Sequence, residues 1–232
     1  MRGICKMGKI DILYEDNHLI AAAKYPGILA QSDGREKDDL LSAVKRYIKE
    51  RDGKPGNVYL ALLHRLDMPA GGIMLFAKTS KAAGRLNTQI RERKIGKFYL
   101  AVAKGILDQK TGELDGYILK DRDRNISVIC HQEDPGARHA RLKYRVMDEK
   151  EGDSLVSIEL ITGRSHQIRV QFAYSGHPLL GDRKYGSNDF HYTVALWAYK
   201  LVFMHPVTNE EIILTLLPES KGIWNRFEYG EY

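Results

Sequence analysis

The sequence predicts an α+β fold with a mixed, largely antiparallel central sheet and flanking helices. Two observations carry this: segments of strand character outnumber those of helical periodicity, and the two kinds do not alternate as they do in a doubly wound fold. A third is size. With 232 residues and 43% hydrophobic content, the chain can bury a substantial core. No internal repeat, low-complexity stretch or linker divides it, so residues 10–232 are expected to form one domain. Residues 1–9 are expected to be an extension of no assigned role.

The elements follow in chain order. Ile10 to Tyr14 and Leu19 to Lys24 are short apolar runs separated by Glu15-Asp16-Asn17-His18, a strand, turn, strand pattern closed by Pro26-Gly27. After Asp38-Asp39, apolar residues at Leu40, Leu41, Val44, Tyr47 and Ile48 mark one face of a helix that ends before Lys54-Pro55-Gly56-Asn57. Val58 to Leu63 and Ile73 to Ala77 read as buried strands bracketing the charged loop that contains His64-Arg65-Leu66-Asp67. Thr79-Ser80 can cap a helix running to about Lys94, with Leu86 and Ile90 inward. Strands are then expected at Lys97 to Ala103 and near residues 114–120, 125–131 and 138–147. Asp153 to Ile161 should lead through Thr162-Gly163-Arg164 into a short helix, Ser165 to Tyr174, stopped by Gly176 and Pro178. Strands near 194–203 and 211–217 complete the pattern.

Thirty-six basic residues against 30 acidic ones leave a net charge of +6. This describes a folded protein with a mixed surface, compatible with nucleic acid but not diagnostic of it. Cys5 and Cys130 are far apart and in no C-x-x-C spacing, which argues against a disulfide framework or a cysteine-based zinc site. The N-terminus lacks the character of a signal peptide, and no apolar run approaches the roughly 20 residues that span a bilayer. A cytoplasmic protein is expected.

The loop at 64–72 holds the first chemically suggestive residues. Arg65 and Asp67 sit between core-like flanks, where charges are costly unless paired. On the residues alone, an ion pair that fixes the loop explains a lone aspartate better than catalysis does. His64 and His166 have no carboxylate or cysteine at a ligand spacing, so structural hydrogen bonding is the better account of both, and no metal is expected.

The wider pattern changes the weighing. His64-Arg65-Leu66-Asp67, a glycine-containing turn and Ile73-Met74-Leu75-Phe76-Ala77-Lys78-Thr79 are followed, in order, by three further motifs. These are Gly96-Lys97-Phe98-Tyr99-Leu100-Ala101, Thr162-Gly163-Arg164-Ser165-His166-Gln167-Ile168-Arg169-Val170 and Gly181-Asp182-Arg183-Lys184-Tyr185-Gly186. Together with Ile12 to Gly27 at the start and His205-Pro206 before the last strand, they resemble the RluA family of RNA pseudouridine synthases from about Ile10 to Pro218. The chain departs from the family pattern at Ala70-Gly71-Gly72, where Thr-Ser-Gly is usual, and at Gln171, where histidine is common. Both departures bear on substrate fit more than on reaction type.

The resemblance implies that Asp67 is the catalytic aspartate, that Tyr99 packs on the target base and that Arg164 pairs with the aspartate. It further implies that Arg65 helps occupy the vacated base stack. Ile168, one helical turn after Arg164, and His64 complete the expected substrate-binding set, though core packing explains Ile168 equally well. The chemistry suits these residue types. A carboxylate can attack the ribose C1′ or abstract a ribose proton, and an adjacent arginine keeps it charged. Tyrosine adds to a flat ring a hydroxyl that can serve the departing C5 proton. Without the resemblance, Tyr99 reads as a core tyrosine on a strand, and Arg164 equally as a solvated arginine at a helix start.

The expected enzyme isomerises uridine in rRNA or tRNA without a cofactor, because cleavage and reformation of the glycosidic link conserve all atoms. RNA is the expected partner, with a basic surface at Lys78, Lys81, Arg85, Arg91, Arg93, Lys94 and Lys97. Neither DNA nor membrane is expected to bind. The chain is taken to lack the S4-like module that precedes many large-rRNA members, which favours a monomer. Two rivals are a catalytically idle RNA-binding module, opposed by the intact Asp67, Tyr99 and Arg164, and a two-carboxylate hydrolase, for which no second motif-level carboxylate exists.

Overall fold

The computed structural model describes residues 10–32, 39–53, 55–188 and 192–228. The expected extension at 1–9, with Cys5, lies outside them. The chain divides into two compact units, Met1–Ile95 with Lys200–Leu216, and Gly96–Tyr199 with Leu217–Tyr232.

In the first unit, β1 (Ile12–Glu15) and β2 (Leu19–Lys24) form the expected hairpin. Its turn is set by Asp16, whose Oδ1 accepts the amides of His18 and Leu19, each at 2.7 Å. Helix α1 (Leu40–Arg51) starts where Asp39 accepts the Ser42 amide at 2.8 Å. It buries Leu40, Leu41, Ala43, Val44 and Ile48, the face its periodicity predicts.

Strand β4 (Gly71–Ala77) pairs antiparallel with β2 from Leu19↔Ala77 to Lys24↔Gly72, and every residue of both strands is buried. Continuous apolar runs are the expected composition of strands covered on both faces. The strand expected at Val58 to Leu63 is only β3 (Ala61–Leu62), paired with Phe76 and Ala77 of β4. Those same two β4 residues also pair with β2, so β3 holds two rungs of the opposite edge. Tyr59 is 52% exposed, and the segment's apolar composition overstated its pairing.

Helix α2 (Ser80–Arg91) begins at Thr79, whose hydroxyl accepts the Ala82 amide. It stops three residues before the expected Lys94, with Glu92 as cap and Arg93 in the left-handed region at φ 58°. Strand β10 (Leu196–Met204) passes from the second unit into the first, where Lys200–Met204 pairs with β11 (Glu211–Thr215). Leu201, Phe203 and Leu214 thereby join Leu19, Leu75 and Leu86 in one buried cluster.

The second unit is a run of antiparallel neighbours. Strand β5 (Gly96–Lys104) pairs with β9 (Asp153–Leu160), β9 with β8 (Arg138–Lys150), β8 with β6 (Thr111–Asp121) and β6 with β7 (Ile126–Cys130). A register shift between Val146 and Asp148 interrupts β8. Helix α3 spans Gln167–Tyr174, two residues shorter than expected at its start. His166 is left-handed at φ 54° and gives no side-chain cap, so residues 162–166 stay a loop. These pairings and flanking helices make the α+β architecture that the sequence predicts. No described helix is long and apolar enough to cross a membrane.

Candidate active site

His64, Arg65 and Asp67 share the loop between β3 and β4 in the first unit. Leu66 and Ala70 are buried, Asp67 is half-buried, and Arg65 and Met68 are exposed, so the loop is anchored by its apolar members and presents its charges. His64 accepts the Leu75 amide on Nε2 at 3.1 Å, which in the neutral ring puts the proton on Nδ1. One β4 amide is thus satisfied by a side chain.

The residue that holds this loop is Lys24, which the sequence had offered only as the end of a strand. Its side chain is fully buried, and its ammonium donates to the carbonyls of Asp67 at 3.0 Å, Met68 at 3.1 Å and Ala70 at 2.6 Å, with Tyr25 O at 3.4 Å. The Ala70 amide closes the turn on Asp67 O at 3.0 Å, and Gly27 N reaches Met68 O at 2.8 Å. Burial pushes the Lys24 ammonium down to about 8, and the charge of Asp67 opposes that fall. Ala70-Gly71-Gly72 thus has a local role: Ala70 receives the shortest of these bonds, and Gly72 adopts φ 124°, a conformation suited to glycine.

Tyr99, Arg164 and Ile168 belong to the second unit. Tyr99 is 6% exposed on β5, opposite Ile158. Arg164 is exposed but tethered, its amide bonded to Gln167 Oε1 at 3.1 Å and its Nε donating to His139 O at 2.8 Å. Gln167 Oε1 also accepts the Thr162 hydroxyl at 2.8 Å, and Thr162 Oγ1 accepts the Arg141 amide at 2.8 Å. A buried amide and hydroxyl therefore fasten the arginine loop to β8. Ile168 is 5% exposed on α3.

Further support comes from residues present in the motifs but given no role by the sequence. Arg169 and Asp182 form a buried two-pronged pair, Nε to Oδ2 at 2.6 Å and Nη2 to Oδ1 at 2.7 Å. The Arg169 guanidinium lies 5.1 Å from the centre of the Tyr185 ring. The Tyr185 hydroxyl accepts the Ser127 amide and meets His166 Nδ1, both at 2.7 Å, and Ser127 Oγ donates to Ser165 O at 2.6 Å. Gln171, the second departure from the family pattern, lies within the packing: its Nε2 donates to Leu114 O and Ala140 O, each at 3.1 Å, stitching α3 to β6 and β8.

The expected basic surface is partly spent on the fold. Lys78 bonds Glu15 and Asp16 O, Arg85 bonds Pro206 O, and Lys94 pairs with Glu92. Among the described residues, no group of three or more His, Cys, Asp or Glu is placed to hold a metal ion.

Residues 18–174 match the family model for RNA pseudouridylate synthase. An uncharacterized RNA pseudouridine synthase, YhcT of Bacillus subtilis, is 35% identical over 213 residues, 90% of this chain and 69% of that protein. The dual-specificity RNA pseudouridine synthase RluA of Vibrio cholerae is 34% identical over 201 residues, 85% of this chain and 78% of that protein. The ribosomal large subunit pseudouridine synthase C of Vibrio parahaemolyticus is 29% identical over 218 residues, 90% and 66% of the two chains. In fold, the chain is similar to the solved human RNA pseudouridylate synthase domain containing 4, with a TM-score of 0.74 at 23% identity over 90% of this chain and 89% of that one. With the family model covering more than half its length and relatives that align over most of it, the chain belongs to the RNA pseudouridylate synthase family and is an RNA pseudouridine synthase, an isomerase of the RluA kind.

Proposed function

We propose that the chain converts a flipped-out uridine of structured rRNA or tRNA to pseudouridine, with Asp67 as the catalytic carboxylate. The observation that carries this reading is the turn around Asp67, whose backbone is clamped by one buried ammonium on three carbonyls. A carboxylate that must meet one ribose atom needs a backbone held this firmly. Tyr99 packs on the base and serves the C5 proton, Arg164 pairs with the aspartate, and Arg65 helps fill the vacated stack. Ile168 and His64 complete the substrate pocket.

In this reaction the bond from C1′ to N1 breaks, a bond from C1′ to C5 forms, C5 loses its proton and N1 gains one. Asp67 serves either by attacking C1′ or by abstracting a ribose proton, and both routes need it ionised. Extruding the uridine costs a few kcal/mol, recovered by contacts in the pocket. No cofactor is required. Both units act as parts of one catalytic domain, residues 10–232, in a cytoplasmic monomer that binds neither DNA nor membrane.

The test is to incubate the protein and Asp67→Ala with rRNA and tRNA transcripts and to map pseudouridine by carbodiimide-dependent reverse-transcription stops. Stops that appear with the protein and vanish with Asp67→Ala are expected. Stops that persist with Asp67→Ala would remove Asp67 from the chemistry.

A further inference from the structure

We propose that Tyr185 is a positioning residue for the reaction: its hydroxyl holds His166 in the left-handed conformation that sets the direction of Arg164, two residues earlier. This deepens the reading of Arg164 given above and rests on it. Tyr185 ends a short helical turn, Arg183–Tyr185, and its amide bonds Asp182 O at 3.1 Å. Asp182 is gripped in turn by Arg169 of α3. The Tyr185 hydroxyl then returns to His166, the residue that precedes the same helix. A ring of contacts therefore runs from the first turn of α3 through Asp182 and Tyr185 and back to the start of that helix.

The return contact matters because His166 is held against a backbone preference. A left-handed conformation brings Cβ close to the following carbonyl in any residue but glycine, and it persists where the surroundings impose it. His166 has φ 54° and makes no side-chain cap hydrogen bond to the helix. Its ring instead meets the Tyr185 hydroxyl through Nδ1 at 2.7 Å and stands edge-on to the Tyr185 ring, with centroids 5.6 Å apart. The residue before it is fixed from the same place. Ser127 of β7 gives its amide to the Tyr185 hydroxyl and its own hydroxyl to Ser165 O at 2.6 Å. Residues 165 and 166 are thus tied to β7, one directly and one through Tyr185. From the path so defined, Arg164 Nε reaches His139 O at 2.8 Å. A His166 relaxed to a right-handed or extended conformation would swing the preceding peptides relative to α3 and take the arginine from that carbonyl.

The experiment compares the wild type, Tyr185→Phe, His166→Asn and the double variant in steady-state turnover on rRNA and tRNA transcripts. Phenylalanine keeps the ring against Arg169 and His166 and loses only the hydroxyl. A loop that is competent for a fraction of the time weakens binding by that fraction, so Tyr185→Phe should raise KM roughly three- to tenfold and leave kcat within about twofold. Asparagine takes the left-handed conformation more readily than most residues. In the His166→Asn background, Tyr185→Phe should therefore change KM by less than about twofold. A fall in kcat with KM unchanged would overturn the proposal, because a smaller folded fraction produces that pattern. An equal rise in KM in both backgrounds would also overturn it, since the hydroxyl would then act without His166, and so would no change in KM at all. Should Tyr185→Phe show no cooperative urea transition, His166→Ala takes its place: alanine should raise KM above asparagine, and equal values overturn the proposal. Absence of wild-type turnover on every transcript would instead count against the proposed function, and the same ratios would then be read from equilibrium RNA binding by the four proteins.

Discussion

The two loops that carry the arginine and aspartate motifs are held in contrasting ways. The Asp67 turn is fastened by a single buried ammonium, Lys24, that touches only backbone carbonyls. The Arg164 loop is fastened by neutral groups, Gln167 and Thr162, behind which stands the buried pair of Arg169 and Asp182. A charge aimed at carbonyls fixes the path of the backbone but not the side chain it carries. An amide bonded to the arginine's own N–H, with a carbonyl on its Nε, fixes the side chain as well. The first arrangement also depends on an ammonium whose pKa burial lowers to about 8.

This contrast can be broken by substitution, and the largest effect is expected from Asp182→Ala. It strands a buried guanidinium and should cost about 3–5 kcal/mol in urea unfolding. Lys24→Met is expected to cost about 2–3 kcal/mol, because it leaves three carbonyls without a donor but no buried charge. Its turnover should fall further than its stability suggests; equal turnover in Lys24→Met and wild type would show that the clamp is not needed for catalysis. Gln167→Ala should cost about 1–2 kcal/mol and raise KM through a loosened Arg164, which turnover at limiting RNA would register. Gln171→His is expected to change stability by about 1 kcal/mol or less, with the same set of modified uridines, since Gln171 bonds backbone within the fold.

The titrating loop also makes a prediction of unusual sign. Folded Lys24 loses its proton near pH 8, while the unfolded chain keeps it to about 10.5. Between these values the unfolded state binds more protons, so this group's contribution to stability grows as pH rises. The gap in urea midpoint between wild type and Lys24→Met should therefore widen from pH 7.5 to 10. Turnover should fall over the same window as the clamp loses a donor. A gap that stays flat over this range would mean that folded Lys24 keeps its proton throughout.

The sequence made some of this legible for physical reasons. Strands β2 and β4 stand out because burial on both faces demands an unbroken apolar run, and Asp39 and Thr79 because a helix start needs an acceptor for its free amides. Asp67, Tyr99 and Arg164 were singled out by motif order alone. Lys24 stayed hidden: its partners are carbonyls 43 to 46 positions away, and every residue type has a carbonyl. Val58 to Leu63 misled because composition records preference for a strand without recording which edge is vacant. The late start of α3 depends on one left-handed residue, His166, and nothing in that side chain announces it.

Strand β10 has a consequence for how the protein is made. The first unit holds the hairpin of β1 and β2, yet Leu201, Phe203 and Leu214 of its buried cluster leave the ribosome long after that hairpin. At about 5–20 residues per second, the hairpin of β1 and β2 waits on the order of ten seconds for these partners. The stretch Gly96–Tyr199 emerges unbroken in the meantime. A nascent chain stalled before residue 200 should therefore protect its middle from protease while its beginning is still cut.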